Sequence, residues 1–101
     1  DDVRESPALK LMDLLEARGA RVAYHDPFVE RIPPTREFPH LAGRAATALT
    51  PEIVAAVDAV LVVTDHDGVD YAALVRHARI VVDTRNVCAR TGNAAANVFK
   101  C

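Results

Sequence analysis

The sequence predicts an α/β fold: a three-layer, open parallel sheet that lacks its first strand. Three observations point there. Ala59 to Thr64 (Ala-Val-Leu-Val-Val-Thr) is a continuous apolar run, the pattern of a central parallel strand buried on both faces. Segments of helical period flank it. The elements alternate in the order α-β-loop-α-β-α-β, which implies parallel strands joined by right-handed crossovers.

The first element runs from Ser6 to Arg18, with Ala8, Leu11, Met12 and Leu15 at helical spacing and Leu14 widening the stripe. Ser6 reads as its N-cap and Pro7 as its first helical residue. Gly19 suits the left-handed position after the helix, and Arg18 complements the dipole's negative end. Ala20 to Tyr24 reads as a short strand, stopped by His25-Asp26-Pro27. From Phe28 to Leu49 no period survives among Pro33, Pro34, Pro39 and Gly43, which predicts a long irregular connection. Thr50-Pro51-Glu52 starts a short helix to about Val57. After the apolar strand comes a helix over Val69 to Ala78, with Tyr71, Leu74, Val75 and Ala78 on one side. Arg79 to Asp83 is the last clear strand, and Val98-Phe99 suits a short edge strand. In this order the first helix needs a preceding strand, so a strand upstream of Asp1 is expected.

Length and composition exclude several classes. The 101 residues suit one domain, 1–101, with one core. Half the residues are hydrophobic, too many for a disordered chain. A net charge of -2 offers no basic footprint for nucleic acid. No apolar run reaches the ~18 residues of a membrane span, and the acidic start is unlike a signal peptide. Cys88 and Cys101 make no disulfide framework, so the cytoplasm is the expected compartment.

Open parallel sheets bind ligands beyond the carboxyl ends of their strands. All three predicted strands end in polar clusters there: His25-Asp26, Thr64-Asp65-His66-Asp67 and Thr84-Arg85-Asn86. Polar strand ends also occur simply because loops are polar. Arg85 follows a buried strand directly, and a guanidinium is a planar fork of donors suited to phosphate oxygens. It reads either as a ligand contact or as a surface Arg paired with a nearby carboxylate. Arg4, just before the first helix, reads as a ligand contact or as an ion pair with an acid such as Glu5.

Asp65-His66-Asp67 invites a metal, but no spaced Cys or His set accompanies it; Asp65 or Asp67 is better read as the cap of the next helix. No metal is expected. His25 reads as a hydrogen-bonded strand-end histidine before it reads as a base. Cys88 reads as a buried or idle thiol before it reads as a nucleophile, and no catalytic residue is assigned. The sequence contains neither Gly-x-Gly-x-x-Gly nor a P-loop.

Four motifs occur in order: Asp2-Val3-Arg4-Glu5-Ser6-Pro7, Tyr24-His25-Asp26-Pro27, Thr64-Asp65-His66 and Asp83-Thr84-Arg85-Asn86. Together they resemble the C-terminal, UDP-binding domain of the UDP-glucose/GDP-mannose dehydrogenase family. Their wording is most similar to that of bacterial UDP-N-acetylhexosamine 6-dehydrogenases, and the likeness is weakest over Glu30 to Ala48.

The resemblance implies a Rossmann-like fold and a role in oxidising the C6 hydroxyl of a nucleotide sugar to a carboxylate with NAD. It implies a UDP-sugar partner, nucleotide-sugar metabolism and polysaccharide biosynthesis, and a homo-oligomeric full-length enzyme. By the family's pattern Arg4 reaches the cofactor and Arg85 the nucleotide sugar. The family's catalytic Cys, its Gly-rich NAD domain and a substrate-binding Lys lie in parts this sequence does not contain. The chain is therefore expected to be a fragment of a larger dehydrogenase, inactive alone. A different reading is a non-catalytic phosphate- or nucleotide-binding regulatory module. A receiver-like version would use Asp65 as phosphoryl acceptor and would want a strand-end lysine, whereas the lysines are Lys10 and Lys100.

Overall fold

A computed structural model describes residues 7–65 and 68–100. The chain divides into two compact units, Asp1–Thr47 and Ala48–Cys101. Length predicted one core; the buried apolar residues instead gather in two clusters, one in each unit.

In the first unit, helix α1 spans Pro7–Ala17. Pro7 takes the first helical position as expected; the Ser6 cap lies outside the described residues. The helix ends as Gly19 predicts. Gly19 has φ +94°, its N–H donates to the Glu16 carbonyl, and the Ala20 N–H donates to the Leu15 carbonyl. This paired closure satisfies carbonyls that the helix leaves open. The buried stripe is rotated from the predicted one. Leu9 and Met12 are buried, while Leu14 and Leu15 are exposed. The cause lies in the polar contacts of the same face: Asp13 meets His40, and Glu16 meets Arg44.

Ala20 to Tyr24 is not a strand. A strand needs a ladder, and among the described residues the one backbone bond from this segment to a distant stretch of chain is that from the Thr47 N–H to the Tyr24 carbonyl. The stretch from residue 28 to 49, expected to be irregular, contains local order. Arg31 and Ala45 form an antiparallel bridge, flanked by bonds between Ile32 and Arg44, Gly43 and Ile32, and Ala46 and Glu30. A 3₁₀ turn at Pro39–Leu41 buries Leu41 with Leu9, Met12 and Ile32. The Tyr24 hydroxyl lies 3.0 Å from the Val29 carbonyl and 3.2 Å from the Arg44 carbonyl, which fastens this ribbon. Burial, then the charge of Asp26, raises the Tyr24 phenol above its ordinary range.

The second unit holds the sheet. Helix α2 (Pro51–Ala56) is capped by Thr50, whose hydroxyl accepts from the Ile53 N–H at 3.2 Å. Strand β1 (Val60–Val62) pairs parallel with β2 (Val81–Asp83), and β2 pairs parallel with β3 (Val98–Lys100). Helix α3 (Tyr71–His77) connects β1 to β2, and the four-residue α4 (Val87–Arg90) precedes β3. The later, α-β-α-β part of the predicted order is thus present in this unit, with α4 added in the tail, whereas the strand predicted over Ala20 to Tyr24 is absent. Among the described residues β1 has a strand neighbour on its β2 side only.

The register Val60↔Val81↔Val98 places these residues on one sheet face. They pack with Val54, Tyr71, Leu74, Val87 and Cys88. Both crossovers advance the same way across the sheet, so helices of one hand fall on one face. The other row is Leu61↔Val82↔Phe99, and it departs from the expectation that the apolar strand is buried on both faces. Leu61 is 37% and Phe99 54% exposed, because the helices of this unit cover the opposite side. Asn97 ties the parts together: its amide donates to the Val75 and Ala78 carbonyls at 2.9 and 3.0 Å, closing α3 just before β3.

Candidate functional site

The carboxyl ends of β1 and β2 carry the polar residues singled out from sequence, and the first tie between them is Thr84. Both its N–H and its hydroxyl donate to the Val62 carbonyl, at 3.1 and 2.7 Å. The last residue of β2, Asp83, is 2% exposed. One carboxylate oxygen accepts from the Arg85 N–H at 3.1 Å and the other from the Cys88 N–H at 2.8 Å. Burial alone would raise the Asp83 carboxyl. The N–H groups of Cys88, Arg85 and Val87, with the Cys88 thiol, outweigh it and hold the carboxyl below its ordinary value.

That anchoring shapes the turn. Asn86 takes a left-handed conformation, φ 56°, which Asn tolerates better than most residues. Arg85 is thereby carried on a short turn whose inner end is tied to a buried anion. Its side chain is exposed, and among the described residues its guanidinium has neither a hydrogen-bond nor an ion-pair partner. One cation, Arg90, lies beside its backbone. Arg90, the last residue of α4, donates from Nη2 to Asp65 Oδ2 at 2.9 Å and to the Arg85 carbonyl at 3.3 Å. The bond to Asp65 raises the Arg90 guanidinium further above its ordinary value.

The structure therefore brings together Asp65, Thr84, Arg85 and Arg90. His25 and Asp26 belong to the other unit. His25 Nδ1 lies 2.9 Å from the Thr47 carbonyl, a bond in which only the ring can donate, so this histidine is hydrogen-bonded as expected. Asp26 accepts from the Phe28 N–H at 2.8 Å, the local turn that Asp favours. Arg4, His66 and Asp67 lie outside the described residues.

One assignment is corrected. Asp65 does not cap the following helix; Asp70 does, accepting from the Ala73 N–H at 3.1 Å. The helix begins at Tyr71, too far along the chain for Asp65 to reach its first turn. Asp65 faces Arg90 instead, at 2.9 Å. Among the described residues no group of three His, Cys, Asp or Glu is arranged to hold a metal ion.

Cys88 is fully buried, and its thiol is pushed up to about 11 by burial first and then by the Asp83 charge. Its burial agrees with the buried thiol read from sequence. The residues that sequence reasoning missed are Asp83, quoted in a motif but given no role, and Arg90. A polar residue ending an apolar strand, followed by a turn and a helix start, is the signal that could have marked Asp83.

The strand-to-helix turns bear on cofactor choice. A dinucleotide cradle needs glycine where backbone approaches the pyrophosphate. The β2–α4 turn has Thr84, Arg85 and Asn86 there, so it is not such a cradle for NAD. A guanidinium on the rim of a parallel sheet suits instead the charged oxygens of a ligand held by side chains. Among the described residues no helix is long and apolar enough to cross a membrane.

Such a fold and rim define a Rossmann-like α/β domain of the nucleotide-binding kind. The sequence model of the UDP-glucose/GDP-mannose dehydrogenase family, UDP binding domain, matches residues 1–90, and the chain belongs to that family. No curated protein and no solved structure matches it.

Proposed function

We propose that this chain is the UDP-sugar-binding part of a larger NAD-dependent nucleotide-sugar 6-dehydrogenase. In this reading residues 1–101 form its C-terminal domain, and the NAD-binding and catalytic parts lie elsewhere in the enzyme. The proposed substrate is UDP-N-acetylglucosamine or UDP-N-acetylmannosamine, otherwise UDP-glucose. What supports the acetylated sugar is the wording of Thr64-Asp65-His66-Asp67 and Asp83-Thr84-Arg85-Asn86. The enzyme is proposed to be cytoplasmic and homo-oligomeric, and to serve polysaccharide biosynthesis.

The single observation that carries the reading is the state of Arg85. Its backbone is anchored to buried Asp83, while its guanidinium has no partner among the described residues. A cation on a backbone held this way can meet diphosphate oxygens at the cost of ordering its side chain alone. Arg4 is proposed to reach the cofactor. The chain alone is proposed to be inactive; Cys88, buried and with its thiol raised, is unsuited to act as a nucleophile.

The test is Arg85→Ala in the complete natural polypeptide that carries this sequence, assayed with UDP-sugars and NAD. KM for the UDP-sugar is expected to rise by about ten- to a hundredfold, as for loss of a charge-assisted bond. The unfolding midpoint should not move. Unchanged KM and turnover would count against the assignment.

A further inference from the structure

The peptide unit that carries Arg85 is gripped on both sides. Its N–H donates to Asp83, at the end of β2. Its carbonyl accepts from Arg90 Nη2, and the same nitrogen donates to Asp65 beyond the end of β1. One nitrogen of Arg90 therefore ties the segment after β1 to the turn after β2.

This tie is not required to close α4. The helix is already ended by the Thr91 N–H and hydroxyl, both of which donate to the Val87 carbonyl. The Arg90 side chain is 52% exposed and that of Asp65 33%, so neither fills the core. What the tie does is limit the freedom of the turn that carries Arg85. A long cation that must be ordered on binding loses affinity to that ordering; a fixed backbone reduces the loss.

We propose that Arg90, oriented by Asp65, is a positioning residue for Arg85 and sets how well the turn presents its guanidinium to the anionic oxygens of a nucleoside diphosphate. The inference rests on the reading of Arg85 as the ligand-binding cation. Arg90 acts through the Arg85 carbonyl and does not itself meet the ligand.

The experiment is a double-substitution cycle in the complete natural polypeptide, with UDP as the probe and calorimetric titration as the readout. Arg90→Ala is expected to weaken UDP binding by about threefold, in keeping with an exposed pair, with no change in unfolding midpoint. Asp65→Asn should produce a similar loss. In an Arg85→Ala background Arg90→Ala should have no further effect, because the group it positions is gone. The proposal is overturned if Arg85→Ala weakens binding but Arg90→Ala does not. It is equally overturned if Arg90→Ala costs the same factor in both backgrounds, which would make Arg90 an independent contact. If Arg85→Ala itself binds UDP as tightly as the parent, the reading of Arg85 fails and this inference fails with it.

Discussion

The backbone N–H of Cys88 donates to Asp83 Oδ2 at 2.8 Å, inside a site where both residues are buried. One carboxylate at the end of β2 thereby holds the start of α4 and, through its other oxygen, the N–H of Arg85. A buried anion satisfied by backbone donors is costly to remove, since those donors then lack a partner.

Asp83→Ala should therefore destabilise the fold by about 3 kcal/mol, the cost of leaving buried N–H groups unpaired. Asp83→Asn should cost less, because the amide keeps one acceptor oxygen. Denaturant unfolding monitored by circular dichroism measures both. A loss under about 0.5 kcal/mol for Asp83→Ala, the range of ordinary surface changes, would contradict the anchoring role.

The same carboxylate gives a pH dependence with a definite sign. Its folded value is depressed below the ordinary 3.8, so the folded state binds this proton more weakly than the unfolded state. The stabilisation is fully present above the ordinary value and is lost as pH falls through the depressed folded value. The Asp83→Asn variant should lose less stability on acidification below about pH 4 than the parent does. Equal losses would show that Asp83 is not depressed in the folded protein.

Cys88 should resist alkylation. A thiol at about 11 is only about one part in a thousand thiolate at pH 8, and the side chain is buried besides. Iodoacetamide followed by peptide mass mapping should leave Cys88 unmodified in the native protein and label it in denaturant. Rapid native labelling would contradict the buried placement.

Asp70, not Asp65, should govern the start of α3. Asp70→Ala is expected to cost about 1 kcal/mol, as for loss of an N-cap. Asp65→Ala should leave the stability of α3 largely intact. Parallel chemical unfolding of the two variants tests the pair, and a reversed order would move the helix start.

Gly19 closes α1 with a positive φ of 94° and nothing within 4 Å of where a Cβ would stand. Gly19→Ala should destabilise the first unit by about 1 kcal/mol, through backbone conformation and not through a clash. Thermal unfolding measures it. A stabilising effect would show that the turn relaxes to negative φ.

Much of this was legible along the chain because it is local chemistry. Pro7 and Gly19 mark the limits of α1, Thr50-Pro51 marks the start of α2, and the apolar runs mark β1 and β2, because caps, turns and periodicity act over a few residues. The placement of Arg85 just beyond a strand was readable for the same reason.

Other features depend on groups far apart in sequence, and only the tertiary structure decided them. Ala20 to Tyr24 has the composition of a strand, yet a strand exists only where a second backbone lies alongside. Leu61 looks buried from its neighbours, yet exposure depends on which face the helices cover. Asp65 resembled a cap until Arg90, 25 residues on, came within hydrogen-bond reach of it. Sequence thus determined the local elements and the residues on the rim. Folding determined which of those residues share a hydrogen bond, because that distance is set by the register of the sheet and not by spacing along the chain.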